Sequence, residues 1–140
     1  MYEYGATLVR VVDGDTLDAI IDLGFGVQIK KRIRLHGINA PESRTRDLEE
    51  KKRGKAATQY VQSWFREHGG DNLRGAEFVL LSKELGKFGR VLGIVLCDHR
   101  TRTPTYIDIR DKWKGTPTCH NLNEDLVRDG HAVEYDGGKR

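Results

Sequence analysis

The sequence predicts an α+β chain that is mainly β, a small antiparallel barrel with helices packed on it, and three observations carry that prediction. Short apolar runs alternate with polar residues between glycine-containing turns, and a separate stretch carries an apolar stripe at helical spacing. At 140 residues, an open sheet of so many short strands would leave exposed edges, which closure into a barrel removes. A chain of this length buries about two-thirds of its unfolded surface, enough for one core and not for two. One domain over residues 1–136 is therefore expected, with 137–140, Gly-Gly-Lys-Arg, as a frayed tail.

The elements follow in order. Leu17, Ala19, Ile21 and Leu23 alternate with their neighbours from Thr16 to Leu23, and Gly24-Phe25-Gly26 is a turn. Alternation resumes at Val27, Ile29, Ile33 and Leu35, interrupted by Lys31, so the two runs read as a hairpin. Pro41, which lacks an amide donor, stops the strand. From Arg53 to Glu67, residues Ala57, Tyr60, Val61, Trp64 and Phe65 fall on one helical face, and His68-Gly69-Gly70 ends it. Ala76 to Ser82 and Gly89 to Leu96 form a second hairpin through Lys83 to Phe88. Asn121 to Asp129 reads as a short helix with Asn121 as cap and Gly130 as its end. Between them, 99–118 is a basic surface excursion with a short strand at Thr105 to Ile109.

Composition narrows the function class without naming it. Apolar residues at 37% against 32% charged describe a domain that folds by itself rather than a disordered or fibrous chain. A net charge of +3 permits an anionic partner and does not identify one. The start has no basic segment followed by an apolar run, and no stretch has the roughly 18 apolar residues of a membrane helix. A cytoplasmic monomer without membrane contact is the expectation, with Cys97 and Cys119 as reduced thiols.

Three clusters bear chemistry: Asp13-Gly14-Asp15-Thr16, Arg34 through Pro41-Glu42, and Gly86-Lys87-Phe88-Gly89-Arg90. Singly, each is a common turn or a solvated strand end. Jointly, they supply what phosphodiester cleavage requires: oxygen ligands for a hard cation, a carboxylate to handle water, and arginines whose planar forks grip phosphate at any working pH.

Val-Val-Asp-Gly-Asp-Thr at 11–16, Arg-Leu-His-Gly-Ile-Asn-Ala-Pro-Glu at 34–42, Lys-Phe-Gly-Arg at 87–90 and Leu-Asn-Glu-Asp-Leu-Val-Arg-Asp-Gly-His-Ala at 122–132 occur in one order. Through these the chain resembles the staphylococcal nuclease (thermonuclease) family over most of its length. The resemblance implies a five-stranded oligonucleotide-binding (OB) fold barrel and a calcium-dependent endonuclease that cuts DNA or RNA, with single strands preferred, leaving 3′-phosphates. It implies Asp15 as metal carboxylate, the Ala40 carbonyl as a further ligand, Arg34 and Arg90 as phosphate-binding arginines, and Glu42 as the residue that handles water.

The chain departs from the family at several points. Asn39 stands where the family has a second metal-binding aspartate, which suggests weaker calcium binding or use of magnesium or manganese. Phe88 replaces a tyrosine. Lys87 and Phe88 are either substrate contacts or decoration of a hairpin tip, and Tyr135 sits one position out of register with a phosphate-gripping tyrosine. A catalytically weakened barrel that binds nucleic acid or a protein partner is the alternative function.

The excursion carries Arg100, Arg102, Arg110, Lys112 and Lys114 with Tyr106 and Trp113, either a nucleic-acid track or a solvated loop. At its base Cys97, His99, Cys119 and His120 could hold a structural zinc, the two cysteines could bridge, or neither. His36 and His131 read as surface or packing residues.

Overall fold

Tyr2–Asp13 forms β1, a strand that simple alternation does not reveal because two bulges, at Leu8/Arg10 and Val11/Asp13, reset its period. Ala6, Leu8 and Val11 face the core through these offsets. The computed structural model describes residues 2–43, 45–68, 74–85, 91–98 and 119–135. β2 (Thr16–Gly24) and β3 (Val27–Leu35) form the expected hairpin, with Thr16 opposite Arg34 and Ile21 opposite Ile29. Its turn holds Gly24, Phe25 and Gly26 all at positive φ.

β5 (Glu77–Leu85) pairs antiparallel with β1 and with β6 (Val91–Asp98). The barrel closes where β3 and β6 run parallel, Ile33 beside Val91 and Leu35 beside Gly93. Closure in the order β1-β2-β3-β6-β5 is the five-stranded OB-like arrangement. Three short strands were not anticipated: β4 (Ile38–Asn39) and β8 (Val133–Glu134), which pair with each other, and β7 (Cys119–Asn121), which runs antiparallel beside the end of β6. Residues 83–85, expected in a turn, continue β5, and Thr105 to Ile109 lies outside the described residues.

α1 (Leu48–His68) begins five residues before the expected start at Arg53. Asp47 Oδ1 accepts from the Glu49 and Glu50 amides at 3.0 and 3.4 Å, so a cap and an acidic first turn, rather than burial, extend the helix. Its buried face, Gly54, Ala57, Val61, Trp64 and Phe65, packs on the barrel. α2 (Leu122–Arg128) is too short to persist alone. Asn121 caps it, its side chain accepting from Glu124 N–H at 3.1 Å. Burial of Leu122 and Leu126 at 0% exposure, about 1.5–3 kcal/mol each, does more to hold it in place. Trp64 Nε1 donates to Asp125 at 2.8 Å and Tyr60 Oη to Asp129 at 2.5 Å, tying the two helices together. Burial first, and then the bond to Asp129, pushes the Tyr60 hydroxyl pKa up.

Candidate active site

The turn joining β1 to β2 brings Asp15 to the end of β3. Asp15 is 8% exposed, and a carboxylate buried that far needs donors. Its Oδ1 accepts from the Thr16 hydroxyl at 2.9 Å and its Oδ2 from the Ala40 amide at 2.9 Å. The Arg34 Nη1 lies 3.4 Å from Oδ2. Strand pairing sets Arg34 opposite Thr16, and the guanidinium reaches onward so that Nη2 donates to Asn39 Oδ1 at 2.9 Å and Nη1 to the Leu35 carbonyl at 3.2 Å. Arg34 therefore bridges Asp15 and Asn39, and the structure brings together Asp15, Arg34, Asn39 and Ala40.

Small residues on α1 fix the two backbone segments around this cluster. A Cβ on Gly14 would stand 2.6 Å from Ala57 Cβ and 3.0 Å from Ala40 Cβ, so the turn carrying Asp15 is seated between them. A Cβ on Gly54 would stand 2.4 Å from the Glu42 carbonyl oxygen and 2.6 Å from Ser43 N. The Glu42 backbone thus rests directly on the helix while its side chain is exposed. Ser43 Oγ donates to Asp13 Oδ1 at 2.5 Å, joining the segment after Glu42 to the turn before Asp15. Glu42 N–H points to Glu50 Oε1 across 3.5 Å, a weak contact at most.

A second set of contacts holds the bend between Arg34 and Asn39. Buried Asn123 donates through Nδ2 to the carbonyls of His36 (2.9 Å) and Gly93 (3.2 Å), and its Oδ1 accepts from Val95 N–H at 3.2 Å. His36 N–H donates to Gly93 O at 2.8 Å, so His36 serves the packing of this bend. Tyr135 N–H donates to Gly37 O at 2.8 Å beside the β4–β8 pairing, which places its backbone next to the strand carrying Asn39. The His131 ring lies tilted by 34° against Tyr60 with centroids 4.6 Å apart.

Gly54, Ala57, Ser43 and Asn123 were not anticipated as positioning residues. A glycine in mid-helix costs about 1 kcal/mol against alanine and so marks a close approach, a signal that shows at Gly54 only once the helix is known to begin at Leu48 rather than Arg53. Asn123 gave none, because its partners are backbone carbonyls remote in sequence.

The Asp15 carboxylate, the Asn39 amide oxygen and the Ala40 carbonyl are hard oxygen donors of the type that magnesium or calcium takes, with a single carboxylate charge among the three. Their chemistry fits a divalent cation. Among the described residues no group of three or more His, Cys, Asp or Glu side chains is gathered for a metal. Cys97 is buried and its thiol donates to the Glu77 carbonyl at 3.4 Å, while His120, its register partner, stacks on His68 with centroids 4.0 Å apart. His99 and the Cys119 side chain lie outside the described residues, as do Lys87, Phe88, Arg90 and the basic excursion. Val91, which follows Arg90, pairs with Ile33, one residue from Arg34.

A search of curated proteins found no match. The family model described as "Staphylococcal nuclease homologue" matches residues 32–139, more than half of the chain.

Proposed function

Since the chain belongs to the staphylococcal nuclease family, we propose that it is a metal-dependent nuclease that hydrolyses phosphodiester bonds of DNA or RNA, with calcium as the first cation and 3′-phosphates as products. The observation that supports this reading best is the Arg34 guanidinium fixed between Asp15 and Asn39. A planar fork anchored on two sides is held in place before substrate arrives, so it loses little freedom on gripping phosphate.

Asp15, Asn39 and the Ala40 carbonyl would hold the cation, whose chemistry when bound would be to polarise the phosphate and offset the negative charge that builds on its oxygens. Glu42, exposed above the seat that Gly54 provides, accepts a hydrogen bond from the attacking water and orients it toward phosphorus. Arg34 and Arg90 balance the negative charge of the phosphorane. Lys87, Phe88 and Tyr135 supply further contacts to the nucleic acid on this reading.

The competing reading, a binding module with weakened catalysis, draws on Asn39, which removes one ligand charge. One experiment separates the two. Purified protein is incubated with single-stranded and duplex DNA and RNA in calcium, magnesium or manganese, and the product ends are analysed. Metal-dependent products ending in 3′-phosphate support the nuclease. Oligonucleotide binding without cleavage in any cation supports the module and rejects the nuclease.

A further inference from the structure

The outward face of the β2–β3 hairpin leads away from the candidate site as a row of cations. Arg34, Arg32 and Lys30 alternate along β3 and share the face opposite the core-facing Ile33 and Leu35. Register places Asp18 beside Arg32, Ile20 beside Lys30, and Arg10 of β1 beside Asp18. Arg32 Nε donates to Asp18 Oδ1 at 2.9 Å and Nη2 to Oδ2 at 3.3 Å, while Arg10 Nε stands 3.9 Å from Oδ2. One largely buried carboxylate thus organises two guanidinium groups, with Lys30 alongside, and leaves an excess of positive charge beside Arg34. Asp22, two positions further along β2, is turned to the hairpin end, where its Oδ1 accepts from Gly24 N–H at 2.8 Å. At the tip, Phe25 stands 106% exposed at φ 55 between glycines.

We propose that this face is a docking track for the single-stranded flank of a nucleic-acid substrate, its phosphates passing from Arg34 over Arg32, Arg10 and Lys30 toward Phe25. The proposal rests on the nuclease reading for where the scissile phosphate lies. Same-face residues of a strand recur about every 6.6 Å, a step comparable to that between phosphates of an extended single strand. A basic row ending in an exposed aromatic ring is what sequence-tolerant strand binding uses, the cations following the backbone and the ring stacking a base. An anionic membrane would instead favour cations collared around the apolar tip of Leu23, Phe25 and Val27, whereas here they run along the strand to Arg34.

The test is binding of a 4-nucleotide and a 20-nucleotide single-stranded DNA by fluorescence anisotropy in EDTA across a salt series, for the wild type and for an Arg10→Gln/Lys30→Gln double variant. The affinity advantage of the long strand should fall about tenfold in the variant. The slope of log K against log salt should fall by about 0.7 for each lost phosphate contact, about 1.4 for both. An unchanged long-strand affinity and slope would overturn the track, and so would a loss seen only with phosphatidylserine vesicles, which would mark a membrane face. Phe25→Ala, at an exposed tip, should weaken the long strand without altering the salt slope. Because binding is read without metal, a track that holds while no cation supports cleavage would defeat the nuclease reading alone.

Discussion

Replacing Gly54 with alanine sets the positioning of Glu42 against the stability of α1. The added Cβ would fall 2.4 Å from the Glu42 carbonyl oxygen, 2.5 Å from its carbonyl carbon and 2.6 Å from Ser43 N, all backbone atoms that cannot rotate away. Ordinary contact begins at 3.4 Å, so the Glu42 segment must retreat by 3.4 − 2.4 = 1.0 Å or the helix must shift by as much. Overpacking of this kind costs about 1–3 kcal/mol. Alanine in place of a helical glycine returns about 1 kcal/mol. The net loss of stability is thus about 0–2 kcal/mol, small enough to leave the protein folded. A displacement near 1 Å at a reacting group can cost about a hundredfold in rate. The expected result is kcat lower by about a hundredfold, KM within a few-fold of wild type, and a urea midpoint only slightly reduced. Ala56→Gly, at an exposed position of the same helix, is the control: it should cost about 1 kcal/mol with kcat unchanged. Wild-type kcat in Gly54→Ala, or a gain of about 1 kcal/mol in stability, would refute the claim that Gly54 seats Glu42.

Three further outcomes are expected. Arg34→Lys keeps the charge but cannot span Asp15 and Asn39 together, so steady-state kinetics should show kcat down by about a thousandfold. Asn39→Asp restores a second carboxylate charge and should tighten calcium binding measured by calorimetry, by about tenfold; equal affinities would reject a ligand role for position 39. Asp18 has its carboxyl pKa held below the ordinary 3.8, first by the Arg32 hydrogen bond, with burial opposing and Arg10 and Lys30 adding to the field. A depressed folded pKa contributes stability above the unfolded value that is lost as pH falls through the folded one. Asp18→Asn should therefore be less stable than wild type in urea titrations at pH 7, and the gap should begin to narrow only as pH falls below the ordinary 3.8 toward the lower folded value.

The hairpin β2–β3 and the stripe of α1 were legible because one face of each is dry, and period two or period 3.6 follows from that alone. β1 was not, since the bulge at Leu8/Arg10 moves Val11 onto the core face out of phase with Leu8. Nor was the first turn of α1, where Leu48 is exposed and the cap carries the start. At the site, Asp15, Arg34, Asn39 and Ala40, named from the sequence motifs, do meet. What positions them was hidden, because the Gly14–Ala57 and Gly54–Glu42 approaches join segments whose distance in space no local pattern encodes.

The proposed hydrolysis turns on a carboxylate at position 42 acting on water, and Glu42→Gln tests it most directly, since it preserves shape and removes charge. Hydrolysis of a single-stranded oligonucleotide in calcium is to be followed for both proteins under single-turnover conditions, with metal binding measured alongside. The expected result is cleavage by the wild type and a loss of about a thousandfold in the variant with metal binding retained. Equal rates in the two proteins would contradict it.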